Sequence, residues 1–284
     1  MRNFHLRVFS TALAVLLLAL TGCSTGESPS STPAATPSST AAASSAPASK
    51  PPESVVSSQA PVSSQEVISS EAAVSSQVEN AQADEEVQLE VPLIWQMPEL
   101  PTGCEITSLT MALQYAGFDV DALTMADQYL PKSSNWYYVG DKRYGPDMRI
   151  EFAGNPRYEG GAECDAPPIV QAASDFLRDQ GSDLQAVNLT GSEPQVLYDS
   201  IRAGTPVVVW VTIGMVDREI SGGWYVEGSD DYVEWATMDH CVVMSGVDET
   251  TVTLNDPLSG YLNYSKTVFE DIYAQRGSQA VILQ

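Results

Sequence analysis

Residues 206–213 read PVVVWVTI, a nearly unbroken apolar run bounded by turn residues. Such a run marks a strand buried on both faces and predicts the centre of a sheet. Elsewhere the pattern is periodic. Ile106, Leu109, Ala112, Leu113 and Ala116 recur at three and four, one buried face of a helix that starts near Cys104 and stops at Gly117. A second helix is expected from Asp121, its N-cap, to Leu130 before Pro131. Pro167 and Pro168 suit the first turn of a third, running to Gln180 with Ile169, Ala172, Ala173, Phe176 and Leu177 on one face. Ser192 is the expected cap of a fourth, with Val196, Leu197 and Ile201 apolar and Gly204 as its stop. Short strands are predicted at 89–95, 184–189, 239–246, 251–255 and 279–283, and a short helix at 265–275. Residues 132–164, rich in Gly, Tyr, Pro and charge, show no period and read as a long irregular stretch. Helices come first and strands cluster later, so the fold class is α+β, with N-terminal helices packed on a mainly antiparallel sheet.

The first 87 residues do not share this pattern. Residues 1–23 carry Arg2 and Arg7, an apolar run at 12–20, and then Leu20-Thr21-Gly22-Cys23. That is a signal peptide, its apolar core too short to span a membrane. Its last four residues resemble a bacterial lipobox, whose cysteine is lipidated, so Cys23 is the expected lipid anchor and the domain is expected outside the cytoplasm, facing the cell wall. Residues 24–87 are dominated by Ser, Ala and Pro, repeat Val-Ser-Ser-Gln from Val56, Val62 and Val74, and contain no aromatic residue. So little apolar surface cannot offset the entropy of ordering, and a disordered tether with a reach on the order of 45 Å is expected. The domain itself is expected at 88–284. Removing the signal takes two of 13 basic residues and none of 37 acidic ones, leaving a net charge of −26. That balance excludes nucleic acid as a partner and leaves membrane attachment to the lipid. The chain is expected to be a monomer.

Chemistry enters with Cys104. A thiol in the first turn of a buried helix lies at the positive end of the helix dipole, which favours the thiolate. After lipidation of Cys23, Cys104, Cys164 and Cys241 remain, an odd number at spacings that match no zinc site. A Cys164–Cys241 disulfide is one candidate pairing. Of the two histidines, His5 leaves with the signal peptide, so His240 is the one imidazole left to serve as a base. If the chain turns back at 246–250, a hairpin centred on Asp248 sets Asp256 opposite His240 on the same face. A carboxylate there orients one ring nitrogen and frees the other for Cys104. Asn255, Asp239 and Asp248 are rivals for that role. Glu105 reads as an acid complementing the helix dipole. Trp136, Tyr137, Tyr138, Trp224 and Tyr225 either wall a substrate cleft or pack the loops that carry them.

From Gln96 onward the chain resembles the papain-like cysteine peptidases related to the double-glycine leader peptidases, in stand-alone exported form. The residues that carry the likeness are PELPTGCEITSL around Cys104, GNPR at Gly154, APPI at Ala166, PVVVWVTIG from Pro206, MDHCVVMSGVD around His240 and LNDPLSG around Asp256. The resemblance implies a Cys104 nucleophile, a His240 base, an Asp256 orienter, and Gln96 as an oxyanion-hole donor beside the Cys104 backbone N–H. It implies hydrolysis of a peptide amide through a thioester, with no metal or organic cofactor, on a peptide or cell-wall peptide substrate. A peptidoglycan amidase or endopeptidase, or a binding domain that has lost turnover, are the alternatives it leaves open.

Overall fold

The structure, a computed structural model, describes residues 86–284. The predicted signal segment, Cys23 and all but the last two residues of the predicted tether lie outside the described residues. In chain order the elements are β1 (Val87–Gln88), α1 (Cys104–Tyr115), α2 (Ala122–Thr124) with a π-helical turn (Met125–Tyr129), β2 (Lys132–Ser133), β3 (Tyr137–Val139), β4 (Lys142–Gly145) and β5 (Phe152–Ala153). There follow α3 (Ala166–Asp179), β6 (Ala186–Asn188), α4 (Pro194–Arg202), β7 (Val207–Thr212), β8 (Gly222–Val226), β9 (Tyr232–Trp235), β10 (Asp239–Val247), β11 (Thr251–Asp256), β12 (Gly260–Ser265), α5 (Lys266–Gln275) and β13 (Ala280–Leu283).

The main sheet is antiparallel throughout and runs β12-β11-β10-β7-β13-β6. β1 pairs with the far end of β10, beyond the point where β7 ends. β7 is the interior strand that its sequence predicts, and all six of its residues are buried. Alternate side chains feed two cores. Val208 and Trp210 join α1 and α3 on one face, while Val207, Val209 and Val211 join α4 and α5 on the other. Each such side chain contributes about 1.5–3 kcal/mol when fully buried. The class is α+β, as expected.

Several boundaries differ from expectation. Residues 89–95 form no strand; the chain pairs earlier, at Val87–Gln88. The expected helix at 121–130 is one α-turn followed by the π-helical turn, closed by the Leu130 N–H on Met125 O at 3.0 Å. Asp121 caps it as expected, accepting from the Thr124 N–H at 2.8 Å. Helix α4 starts at Pro194 with Glu193 as N-cap, one residue later than the Ser192 cap. Val196 is consequently exposed, and Tyr198 packs in its stead.

The stretch 132–164 is not irregular. β3 and β4 join β8 and β9 in a second, four-stranded sheet, and β2 pairs with β5. β4 pairs parallel with β8, more than 75 residues on, a contact that no local pattern can signal. Trp224 is buried there, edge-on to Trp136 at 4.7 Å, its Nε1–H donating to Pro146 O. Of the two readings of these aromatics, Trp224 takes the packing one. β12 carries no apolar signature in its sequence, since Gly260–Ser265 has Gly, Tyr, Asn and Ser with a single Leu. Among the described residues no helix is long and apolar enough to cross a membrane.

Candidate active site

Helix α1 packs on β10, and Ser108 Oγ donates to Cys241 O at 3.1 Å across that contact. The helix therefore delivers its first residue, Cys104, beside the start of the strand that carries His240. The approach is built tightly. A Cβ on Gly103 would stand 2.9 Å from Leu100 Cβ and 3.2 Å from Pro156 Cβ, so the backbone before Cys104 passes against the GNPR segment. Thr102 is held there by its N–H on Pro156 O and its Oγ1 on Tyr158 O. Gly161 closes the other side, where a Cβ would meet Thr102 Oγ1 at 2.3 Å and Asn155 O at 2.8 Å. Gly161→Ala is expected to cost about 1–3 kcal/mol by overpacking, read as a lowered Tm.

His240 and Asp256 meet directly. Nε2–H of His240 donates to Asp256 Oδ1 at 2.9 Å, with both side chains buried. The register is not the one expected. Val243 pairs with Asn255 and Met244 with Leu254, a bulge intervenes at Ser245, and Gly246 pairs with Thr253. Asp256 thus lies level with Val242, diagonal to His240, still on the same face because the offset is two residues. The Leu258 and Ser259 N–H groups also donate to Asp256 Oδ1, at 2.7 and 3.2 Å. Burial pushes this carboxyl up, but the His240 bond and these N–H donors outweigh it, and it titrates below the usual carboxylate value.

The three rivals of Asp256 are engaged elsewhere. Asn255 accepts from Ser245 Oγ and donates to Val91 O at 2.8 Å, tying the N-terminal approach to the sheet. Asp248 accepts from the N–H groups of Thr250 and Thr251 in the turn. Asp239 pairs with Arg218 and Arg276. This last pairing belongs to a buried charge cluster that sequence reading missed: Arg276 also pairs with Glu163 at 3.1 Å, behind the start of β10. Nothing in the spacing of residues 163, 218, 239 and 276 announces it.

Cys104 departs from expectation. Its Sγ–H donates to Glu105 Oε2 at 3.3 Å, and its side chain lies with Cys241 on the α1 face of the sheet, whereas His240 belongs to the alternate row of β10. Burial, and after it the Glu105 carboxylate, push the thiol well above its usual value. A helix dipole contributes about 1 kcal/mol or less, and full desolvation outweighs it. Glu105, read from the sequence as an acid complementing the helix dipole, is buried as well: it is 1% exposed, and its Oε1 accepts from the Cys164 N–H at 2.9 Å. Cys104, Cys164 and Cys241 are all free thiols, so the Cys164–Cys241 disulfide is absent.

Gln96 is buried beside this centre, its N–H donating to Pro257 O at 3.0 Å, next to Asp256. Its side-chain amide donates to Leu100 O at 3.2 Å and Pro101 O at 3.1 Å, closing the turn that leads into α1. Both amide hydrogens are therefore used within the turn, not offered to an oxyanion, and Oε1 is buried without a partner. Among the described residues no group of three or more His, Cys, Asp or Glu side chains is arranged to hold a metal ion.

Residues 88–281 match the model of the Peptidase_C39 like family. The chain belongs to that family. It is 35% identical over 210 residues to the uncharacterised protein YvpB of Bacillus subtilis strain 168, covering 69% of this chain and 75% of the relative. It is also similar to a C39-like protein of Bacillus anthracis known from its crystal structure. The TM-score is 0.62 at 33% identity, over 71% of this chain and 98% of that one. Membership of the family and the C39-like fold mark a cysteine-peptidase-like domain, in which the helix that starts at Cys104 packs on the strand that carries His240.

Proposed function

We propose that the domain hydrolyses a peptide amide, with Cys104 as nucleophile, His240 as general base and acid, and Asp256 as orienter. The observation that carries this reading is the buried His240 Nε2–H bond to Asp256, on the strand against which the Cys104 helix packs. Because Nε2 is committed to the carboxylate, Nδ1 is the nitrogen left to take the thiol proton. At 9% exposed, against 2–3% for His240 and Asp256, Cys104 is the most accessible of the three to a substrate.

In the reaction Sγ leaves Glu105, passes its proton to His240 Nδ1 and attacks the carbonyl carbon, and the carbonyl π electrons move onto oxygen. The Cys104 backbone N–H, in the first turn of α1 and without an intrahelical acceptor, donates to that oxyanion. For Gln96 to add a second donor, one of its bonds to Leu100 O or Pro101 O must exchange for the oxyanion. The imidazolium then protonates the leaving amine, and water, deprotonated by His240, releases the acid from the thioester. The Leu20–Cys23 pattern supports export and anchoring through lipidated Cys23, which makes amides of wall peptides and exported proteins the substrates to try.

The test is hydrolysis of quenched fluorescent peptides and of peptidoglycan fragments by the purified protein, followed by mass spectrometry of the new termini. Cys104→Ala is expected to remove all turnover while leaving the melting curve in place. Turnover that survives this change would sink the assignment.

A further inference from the structure

Cys104, His240 and Asp256 are the proposed catalytic residues, yet the group that touches the Cys104 sulfur is Glu105. Its carboxylate bridges two elements, accepting from Cys104 Sγ with Oε2 and from the Cys164 N–H with Oε1. It is 1% exposed, has no cation in hydrogen-bond contact, and follows Cys104 directly on α1. An acid serving only the helix dipole needs neither the burial nor the thiol contact. We propose that Glu105 is a positioning residue that sets the resting state of the nucleophile: its ionised carboxylate keeps the Cys104 thiol protonated and turned toward Oε2, and proton uptake by that carboxyl releases the sulfur to His240.

The electrostatics run the same way. Burial first raises Glu105, the N–H bonds at Cys164 and its own backbone and the thiol contact lower it, and it titrates at about 7. The charged and titratable groups facing it are Cys104 on α1, Glu163 and Cys164 on the segment before α3, Cys241 on β10, and Arg276 after α5. Arg276 favours the carboxylate from a distance but is itself taken by Glu163 and Asp239. Above neutrality the carboxylate opposes a thiolate at 3.3 Å through like charge. Below it, the neutral acid accepts less strongly and can donate its own O–H to a thiolate. In both directions the proton count balances: one proton enters the carboxyl from solvent, and one leaves Sγ for His240 Nδ1.

This inference rests on Cys104 being the nucleophile, and the experiment separates the two. Alkylation of Cys104 by iodoacetamide is followed by peptide mass spectrometry from pH 5 to 9 in the wild-type protein and in Glu105→Gln. The glutamine keeps an acceptor for the Cys164 N–H and offers an amide N–H to sulfur. The variant is therefore expected to alkylate about tenfold faster at pH 8, a shift of about one unit toward lower pH in the thiol midpoint. A merely structural Glu105 would change the melting temperature and leave this midpoint alone. Superimposable profiles in folded protein would overturn the proposal while leaving the nucleophile reading in place; absence of Cys104 labelling in both proteins would overturn both. Infrared spectroscopy supplies a second measurement that needs no Glu105 variant. The Cys104 S–H band, identified by its loss in Cys104→Ala, is expected to shift as a buried carboxyl titrates near pH 7. A band that ignores pH would overturn the proposal.

Discussion

His240→Ala is expected to lower kcat/KM for a cleaved peptide on the order of 10⁴-fold, about 5.5 kcal/mol of barrier, with the fold retained. The physical reason is specific to this site. Burial and the Glu105 carboxylate hold the Cys104 thiol protonated, so without an imidazole to take the proton very little thiolate forms at neutral pH. The fold should survive because Asp256 keeps two of its three donors, the N–H groups of Leu258 and Ser259. Two readings check it: peptide hydrolysis and the rate of Cys104 alkylation, which should fall together at pH 7 and converge with wild type at high pH. Alkylation that remains at the wild-type rate would mean that His240 and Cys104 do not work as a pair.

Arg276→Met is expected to cost about 3–5 kcal/mol of folding free energy. Arg276 is 5% exposed and bridges Glu163 and Asp239 with its two terminal nitrogens at 3.1 Å each. Asp239 retains Arg218, but Glu163 is left in the core without a cation. Burial already pushes the Glu163 carboxyl well up, against the pull of Arg276. A folded-state value above the unfolded one means that the ionised form destabilises. Its cost is therefore absent below about pH 4, the unfolded range, and accrues as pH rises toward the folded value. Losing Arg276 raises that value further, so the penalty should be larger at pH 8 than at pH 5. Chemical denaturation at the two pH values measures it; a loss under about 1 kcal/mol, equal at both, would show the cluster to be energetically slack.

The two changes act on opposite sides of β10. His240 belongs to the row that reaches Asp256, and Asp239 to the row that reaches Arg276, so one strand start carries both the proposed acid–base residue and the anchor of a buried ion cluster. This coupling explains why a short strand end, usually a fraying element, can hold an imidazole in place.

Much of the fold was legible because its signals are local. The apolar run at 206–213, the three-and-four spacing after Cys104 and the proline pair opening α3 each depend on neighbours within a few residues. Period-two counting put Asp256 on the His240 face even though the bulge at Ser245 moved the register, since an even offset preserves the face. The second sheet was illegible: its strands are three to five residues long, and β4 meets β8 only through the tertiary fold.

The residues by themselves determined which chemistry is available: one cysteine at a helix start, one histidine outside the predicted signal segment, and a carboxylate at hairpin distance. The sequence also carried the family, through several motifs in one order. Only the tertiary structure decided the state of those groups. Whether a thiol is poised or held, whether Gln96 offers its amide hydrogens or spends them on Leu100 and Pro101, and whether Glu105 complements the helix dipole or is a buried acceptor depend on desolvation and on how the packed chain seats each partner, from neighbours within five residues to Cys164, 59 residues from Glu105. Burial is a property of the packed chain, and it reverses the sign that the helix dipole alone assigns to Cys104.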